Sequence, residues 1–167
     1  RWHGLRAYLS CIRYPEVLLL QGSPLLGVAF GLQDPTGNKA VAALVFAAAS
    51  FILVAHIWSF NDWAGLTTDL NDPNKSDRVF STKGVSSRGL LLLSLSLLLA
   101  SLCLFALLPR RTLFIAAIIA ALGIFYSHPA LNAKSQPILS SVPHLLGGVF
   151  HFLLGYSLFE AVDARGV

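Results

Sequence analysis

Residues 40–60 read AVAALVFAAASFILVAHIWSF and contain no charged side chain. An α-helix rises about 1.5 Å per residue and the hydrocarbon core of a bilayer is about 30 Å thick, so about 20 apolar residues in a helix cross it. The stretch has the length and the composition of one such crossing. It therefore predicts a transmembrane helix.

The composition of the whole chain is also that of a membrane protein. Of its 167 residues 55% are hydrophobic and 12% are charged, and the mean hydropathy is +0.68; soluble domains carry about 25% charged residues. Five uncharged runs suit transmembrane helices, at residues 17–33, 40–60, 89–109, 112–126 and 142–159. The sequence predicts an all-α fold, a polytopic transmembrane helical bundle of about five helices, with residues 1–167 forming a single domain.

The distribution of Lys and Arg predicts the orientation of these helices. If each run crosses once, the N-terminus, the 61–88 loop and the 127–141 loop share one side, and the 34–39 turn, the 109–111 turn and the C-terminal tail share the other. The first side carries eight of the twelve basic residues and the second side four. The positive-inside rule places the first side in the cytoplasm; in a bacterium the membrane would be the inner membrane. The basic residues form no stripe interleaved with aromatic side chains, so no nucleic-acid partner is predicted.

Acidic side chains are concentrated directly after the second run, in NDWAGLTTDLNDPNKSDRVF at residues 61–80. Like charges on adjacent turns near a membrane repel and need a positive partner. Nearby Lys and Arg side chains would provide it in an ordinary salt-bridged loop, and Mg²⁺, which prefers oxygen ligands, is the alternative. Four oxygen-bearing side chains share one face of a continued helix: Asn61, Asp62, Asp69 and Asp72.

A second polar segment, YSHPALNAK at residues 126–134, lies on the same predicted side as the aspartates. It combines the hydroxyl groups of Tyr126 and Ser127 with a proline break and a single cation, Lys134. Such groups donate hydrogen bonds to phosphate oxygens. The two polar segments together favour a metal and diphosphate site over a solvated loop.

These segments, in this order, resemble the UbiA superfamily of intramembrane prenyltransferases. The segment after the second run resembles the family's first aspartate-rich motif and the loop after it, in Asn61-Asp62, Asp69, Asn74-Lys75-x-Asp77-Arg78 and Gly84. YSHP…K is similar to the family's tyrosine-serine-x-proline loop between helices four and five, and Arg13-Tyr14-Pro15 is similar to its arginine-proline entry. The resemblance covers nearly the whole chain.

The resemblance implies an activity and a set of site residues. Family members transfer an isoprenyl group from an isoprenyl diphosphate, held through Mg²⁺, to a hydrophobic and often aromatic acceptor within membrane lipid. By this resemblance Asp62 and Asp69 are catalytic. The implied metal ligands are Asn61, Asp62, Asp69 and Asp72. The implied diphosphate contacts are Lys75, Arg78, Tyr126, Ser127 and Lys134.

The chain departs from the family in its aspartate motif and in its extent. The family pattern is Asn-Asp-x-x-Asp-x-x-x-Asp, and the third position here is Gly65, which has no side chain to bind a metal. The spacing from Asp69 to Asn74 is long for the family, so Asp72 is an alternative for the fourth position. The family's second aspartate motif follows the sixth of about nine helices, beyond residues 1–167. We expect the chain to be the N-terminal part of a longer enzyme and to be inactive alone.

Two other functions stay open on the residues. One is a non-catalytic membrane protein whose acidic cluster binds a cation or a lipid headgroup, which Gly65 favours. The other is a different Mg²⁺-dependent membrane transferase, acting on phospholipid headgroups.

Three histidines lie in the apolar runs. His56 is interpreted as a core histidine that a neighbouring helix satisfies. His144 and His151 share one face of the fifth run, but no further ligands at helical spacing support a haem or metal site.

Overall fold

The computed structural model describes residues 2–34, 36–73, 79–128 and 137–160. For residues 2, 3, 5 and 137–140 it describes the backbone alone. This part of the chain consists of helices and short turns. The α-helices are α1 Trp2–Leu9, α2 Tyr14–Leu19, α3 Gly22–Gly31, α4 Gly37–Ala64, α5 Leu66–Leu70, α6 Ser87–Phe105, α7 Arg110–Ser127 and α8 Pro137–Tyr156. A 3-10 turn lies at Phe80–Lys83. No strand occurs in these ranges, and the prediction of an all-α fold is confirmed.

Three of the helices are long and apolar enough to cross a bilayer: α4, α6 and α7. Large apolar side chains on their outer faces are exposed, among them Leu44 at 72%, Leu99 at 66% and Phe114 at 68%. Exposed apolar faces of this kind are unfavourable in water and suit contact with lipid tails. The chain is an integral membrane protein.

The first predicted run, residues 17–33, is divided between two helices. The interruption lies at Leu20 and Gln21, where the Gln21 N–H donates to the Leu18 carbonyl three residues back, at 3.0 Å. Pro24 accounts for it, because proline has no N–H to donate to the carbonyl of residue 20. The Gln21 side chain accepts a hydrogen bond from the Ser50 hydroxyl of α4, at 2.7 Å, which ties the interruption to the neighbouring helix.

The ends of the other helices also differ from those of the apolar runs, most clearly in α4 and α6. The run at residues 89–109 corresponds to α6, which ends at Phe105, because Pro109 cannot donate to the Phe105 carbonyl. The run at residues 40–60 corresponds to α4, which continues to Ala64. Asn61 and Asp62 are therefore helical and stand at the polar end of a transmembrane helix.

The helices pack in two principal pairs, α4 against α6 and α3 against α8. Glycines allow the second pair to approach closely: a Cβ on Gly27 would collide with the Phe152 backbone, and a Cβ on Gly155 with the Pro24 backbone. Small residues at crossings of this kind are typical of membrane helices. The contact holds α8 beside α3.

The main core lies where α4, α6, α7 and α8 meet. Its largest buried side chains include Phe46, Leu53, Phe105 and Leu154, and the rings of Phe46 and Phe105 meet edge to face with centroids 6.0 Å apart. These contacts fix the helices whose ends carry the polar residues described below.

Ser101 provides a test of the α4–α6 pair. Its buried hydroxyl donates to the Ala49 carbonyl of α4 at 2.9 Å. Ser101→Ala is expected to lower the free energy of unfolding in detergent by about 0.5–1.5 kcal/mol, the range for hydrogen bonds between membrane helices. Ser96→Ala, an exposed serine of the same helix, is the control and should change it by less than about 0.5 kcal/mol. Equal effects would contradict this role of Ser101.

Candidate functional site

A cavity of about 1390 Å³ lies among α2, α4, α7 and α8. Deep in the bundle its wall is apolar, with Val54 and Ile57 from α4 and Ile119 and Leu122 from α7. Typical small-molecule sites have volumes of about 300–1,000 Å³. The cavity therefore has room for a ligand with a long apolar part.

Polar side chains line the end of the cavity where α4 and α7 finish. This polar end comprises Arg13, Asn61, Asp62, Asp69, Lys83, Tyr126 and Ser127. Five of these were predicted from the sequence as site residues, and they come from two segments that are distant along the chain. The fold brings both segments to one end of an otherwise apolar cavity.

A hydrogen bond joins the two polar segments. The Ser127 hydroxyl at the end of α7 donates to Asn61 Oδ1 near the end of α4, at 3.3 Å. The bond holds the Asn61 amide in one orientation. Asn61 and Ser127 are thus parts of one site.

Arg13 is paired with Asp62. Its Nη2 donates to Oδ1 at 2.6 Å and its Nε donates to Oδ2 at 3.1 Å, and the two side chains are 39% and 17% exposed. The guanidinium also lies over the Trp58 ring, 4.9 Å from its centroid. Bidentate pairs are the strong form of this interaction. Among the described residues, an arginine from the N-terminal segment is therefore a positive partner of the first aspartate.

Arg13 was not predicted as a site residue. In the sequence it contributed only to the Arg13-Tyr14-Pro15 resemblance at the start of the first run. The sequence feature that could have identified Arg13 as a site residue is its position immediately before an apolar run, on the same predicted side as the aspartates.

Lys83 brings a second cation to the polar end. Its ammonium group donates to the Ser10 carbonyl at 2.7 Å. Cys11 lies beside it in the turn between α1 and α2, and burial raises the pKa of the Cys11 thiol, with Lys83 opposing the effect. Cys11 is thus a neutral thiol that packs against Val79 and Phe80.

Asp69 lies one helical turn beyond Gly65. Its N–H donates to the Gly65 carbonyl at 2.9 Å, so the turn from α4 into α5 is nearly continuous. A Cβ placed on Gly65 would lie 3.2 Å from Asp69 Oδ2. The Asp69 carboxylate is therefore folded back against the position that lacks a side chain.

α8 presents a face of small residues and histidines to the cavity. The His144 Nε2 and the Tyr126 hydroxyl are 3.2 Å apart, with the two rings edge to face. Gly147 and Gly148 follow, and a Cβ on either would meet no atom within 4 Å. His151 lies deeper, with Nδ1 2.7 Å from the Gly147 carbonyl. His144 and His151 thus line the cavity at different depths, each beside a different polar group.

His56 is a core residue of the helix pair α4 and α6. Its side chain is fully buried, and Nδ1 lies 2.9 Å from both the carbonyl and the hydroxyl oxygen of Ser94. It does not line the cavity. The interpretation of His56 as a core histidine satisfied by a neighbouring helix is confirmed for Nδ1. Its Nε2 is buried and has no hydrogen-bond partner among the described residues.

The structure describes one further predicted site residue, Asp72, and it is not at the polar end. Asp72 is half-buried, follows α5 and does not line the cavity. Three predicted diphosphate contacts lie outside the described residues: Lys75, Arg78 and Lys134.

The oxygen ligands at the polar end suit Mg²⁺. They are two carboxylates, Asp62 and Asp69, and the amide oxygen of Asn61. Within the described ranges no three His, Cys, Asp or Glu side chains are grouped closely enough to hold a metal. Mg²⁺ does not require such a group, because it usually binds through one or two carboxylates and takes its other ligands from water and substrate phosphates. The residues fit a Mg²⁺ ion that binds together with a diphosphate.

Comparisons with known proteins agree with the helical fold. The model of the UbiA prenyltransferase family matches residues 23–164. A structure of a UbiA homolog from Archaeoglobus fulgidus bound to DMAPP and Mg²⁺ is similar, with a TM-score of 0.81, 21% sequence identity, and coverage of 94% of this chain and 56% of that one. A structure of a UbiA homolog from the same organism bound to GPP and Mg²⁺ has a TM-score of 0.76 and 21% identity, with coverage of 95% and 56%. No curated protein matches significantly. The chain thus spans about half the length of the solved relatives.

Proposed function

The chain belongs to the UbiA prenyltransferase family, and on this premise we propose that the protein transfers an isoprenyl group from an isoprenyl diphosphate to a hydrophobic acceptor, with Mg²⁺. One observation carries the proposal. Asn61, Asp62 and Asp69 line the same end of a large cavity as the cations Arg13 and Lys83, while the rest of the wall is mainly apolar. A diphosphate with an apolar tail has this distribution of charge.

The polar end would bind the diphosphate and its metal. Asn61, Asp62 and Asp69 would hold Mg²⁺, which neutralises the charge that develops on the leaving diphosphate. Arg13 and Lys83 would neutralise the remaining charge, and the Tyr126 hydroxyl would donate to a phosphate oxygen. The Ser127 hydroxyl would do so by turning from Asn61 Oδ1, since it has one hydrogen to donate. Lys75, Arg78 and Lys134 stay proposed as further contacts. Asp72 is left out of the proposed metal ligands because it does not line the cavity.

The apolar part of the cavity would hold the isoprenyl chain. Val54, Ile57, Ile119 and Leu122 offer aliphatic surface without charge. Excluding water from this region also protects an allylic cation from hydrolysis. The acceptor would bind beside the chain, within reach of the carbon that leaves the diphosphate.

Two polar atoms on the cavity wall support an acceptor that carries a polar group. The buried Nε1 of Trp58 and Nε2 of His151 have no hydrogen-bond partner among the described residues. Buried polar atoms in proteins nearly always have one. A carbonyl or hydroxyl oxygen on the acceptor would accept from the Trp58 N–H. A hydroxyl would donate to Nε2 of His151, which is an acceptor when Nδ1 donates to the Gly147 carbonyl. An acceptor of aromatic type commonly carries such groups.

The polar end is proposed to face the cytoplasm. The segments that form it carry most of the Lys and Arg residues of the chain, and the positive-inside rule then assigns their side. In a bacterial cell the protein would lie in the inner membrane.

A non-catalytic protein that binds a cation or a lipid headgroup is the second candidate. The observation that favours it is the loss of a carboxylate at Gly65 together with the engagement of both Asp62 oxygens by Arg13. Binding would then persist without transfer of the prenyl group. Detection of prenyl transfer in the full-length protein would exclude this candidate.

Binding of isoprenyl diphosphate to the longest expressible form of the protein tests the proposal. In detergent, affinity is expected to require Mg²⁺ and to fall at least about tenfold in Asp62→Ala and in Asp69→Ala, which corresponds to about 1.4 kcal/mol. Asp72→Ala is the matched control, an aspartate of the same segment that does not line the cavity, and should stay within about twofold of wild type. Binding that is absent, or that is independent of Mg²⁺, would overturn the proposal.

A further inference from the structure

The N-terminal helix α1 packs against the start of α6. The Tyr8 ring lies against Gly89, where a Cβ would collide with the phenol, and the Lys83 ammonium group donates to the Ser10 carbonyl at 2.7 Å. α6 is one of the helices long and apolar enough to cross the bilayer, and Gly89 is in its first turn. α1 therefore lies where this crossing begins, at the level of the lipid headgroups.

The outer side of this contact is basic. Arg6 and Arg88 are exposed, and each lies within two residues of the contact between Tyr8 and Gly89. Neither arginine forms an ion pair with a described residue. The segments on the two sides of the contact, residues 1–13 and 79–89, contain five Lys and Arg residues and no Asp or Glu. The contact thus presents uncompensated positive charge beside the membrane.

An exposed apolar side chain accompanies this charge. Leu9 is 43% exposed and follows Arg6 by three residues, so the two side chains are neighbours on the surface of α1. Ala7 and Tyr8 belong to the opposite, inner side, which packs on a buried cluster with Leu90. Helices that bind the membrane surface combine basic side chains, which attract anionic lipid, with apolar ones that enter the acyl boundary. The outer side of α1 has both.

We propose that Arg6, Leu9 and Arg88 form a binding surface for anionic phospholipid, which we call the α1–α6 surface. The guanidinium groups would donate to the lipid phosphate, and Leu9 would contact the acyl chains next to the glycerol. Anionic lipids are concentrated in the cytoplasmic leaflet, which matches the orientation proposed for the polar end. None of the three residues lines the cavity, so the inference does not depend on prenyl transfer.

Native mass spectrometry of the full-length protein with phosphatidylglycerol tests the proposal. A basic side chain near an anionic surface contributes about 1 kcal/mol, which corresponds to about fivefold in affinity. Arg88→Gln is therefore expected to weaken binding of phosphatidylglycerol about fivefold, and Arg6→Gln, Arg88→Gln at least about tenfold. Phosphatidylcholine with the same acyl chains should bind wild type at least about tenfold more weakly. Equal affinities for the two lipids would overturn the proposal.

Arg110→Gln is the matched control. Arg110 is also an exposed arginine in the first turn of a membrane helix, α7, but it stands at the opposite end of the bundle from α1. This variant should stay within about twofold of wild type. Equal losses in Arg88→Gln and Arg110→Gln would mean that any cation at the membrane boundary has the same effect, and would overturn the α1–α6 surface. A thermal midpoint for each variant shows that it is folded.

Two competitors identify the place and the ligand. A saturating isoprenyl diphosphate of 20 carbons, added with Mg²⁺, should leave the affinity for phosphatidylglycerol within about twofold, because the α1–α6 surface is outside the cavity. Displacement of the lipid would place it in the cavity and overturn the proposal. Inorganic phosphate at the same concentration as the lipid should not compete with it. Competition by inorganic phosphate would show a site for the free anion and not for a lipid.

Discussion

Replacing Arg13 with glutamate is expected to lower the affinity for isoprenyl diphosphate about 100-fold in the presence of Mg²⁺. The change removes a cation from the polar end and places a carboxylate beside Asp62, whose oxygens now lie 2.6 and 3.1 Å from guanidinium nitrogens. The new carboxylate would repel the bound diphosphate where the guanidinium attracted it. A unit charge about 4 Å away contributes about 1 kcal/mol in bulk water and about 4 kcal/mol at an effective dielectric constant near 20. Reversing its sign at this partly exposed position is therefore expected to cost about 2.7 kcal/mol, or 100-fold.

The matched control is Arg6→Glu. Arg6 is exposed in α1 and belongs to the same N-terminal segment, but it does not line the cavity. The net charge changes equally in both variants. Binding measured by isothermal titration should therefore change by less than about threefold in Arg6→Glu, and a similar loss in both variants would show a general effect of charge.

The exchanged pair separates the structural role of Arg13 from its role in binding. In Arg13→Asp, Asp62→Arg the attraction between the two positions is restored, so the thermal midpoint should recover most of what Arg13→Asp alone loses. Binding that needs Mg²⁺ should not recover, because the arginine at position 62 cannot bind a metal. Recovery of both would contradict the assignment of Asp62 as a metal ligand.

The sequence predicts the helices of this chain well where composition and proline determine them. The bilayer requires uncharged runs, and the run at 40–60 identifies α4 for that reason. The run ends before the helix does, because hydropathy marks the limit of the lipid and not of the helix; nothing after residue 60 interrupts the backbone until Gly65. The interruption before α3 follows from Pro24 and the end of α6 from Pro109, both of which are visible in the sequence.

The acidic and hydroxyl residues of the candidate site could be predicted from the sequence, but the ion pair between Arg13 and Asp62 could not. Asn61, Asp62 and Asp69 stand out because carboxylates beside a membrane are rare. Arg13, the described cation that pairs with Asp62, does not stand out, because it is 49 residues from Asp62 in the sequence, whereas Lys75 and Arg78 are much closer. The packing of α2 against α4 brings Arg13 to Asp62.

The position of Asp69 illustrates the same limit at short range. Periodicity places residues 65 and 69 on one face of a helix. It does not state whether the carboxylate extends away from a glycine or folds back onto it. That outcome depends on the conformation of the junction between α4 and α5, where Gly65 has φ −87° and ψ −1°.

Phenylalanine at position 148 is expected to lower the affinity for a long isoprenyl diphosphate of 20 carbons about 100-fold, and that for a five-carbon one by less than about threefold. Gly148 lines the cavity, and a Cβ there would meet no atom within 4 Å. It lies one turn, about 6 Å, deeper along α8 than His144, which contacts Tyr126 at the polar end. A ring at this position would take the space of about one isoprene unit. Losing the burial of three or four carbons costs about 2.5–3 kcal/mol, at about 0.8 kcal/mol each.

Gly22→Phe is the matched control for this variant. A Cβ on Gly22 would likewise meet no atom within 4 Å, but Gly22 does not line the cavity, so the ring should leave the affinity for every chain length within about twofold. The measurement is the dissociation constant, with Mg²⁺, of diphosphates of 5, 10, 15 and 20 carbons for both variants and wild type. It shows whether the loss of affinity depends on chain length. A loss that grows with chain length places the isoprenyl chain along the glycine face of α8. An equal loss at all lengths would mean that Gly148 faces the diphosphate, and the apolar wall of α4 and α7 would no longer be the proposed site of the chain.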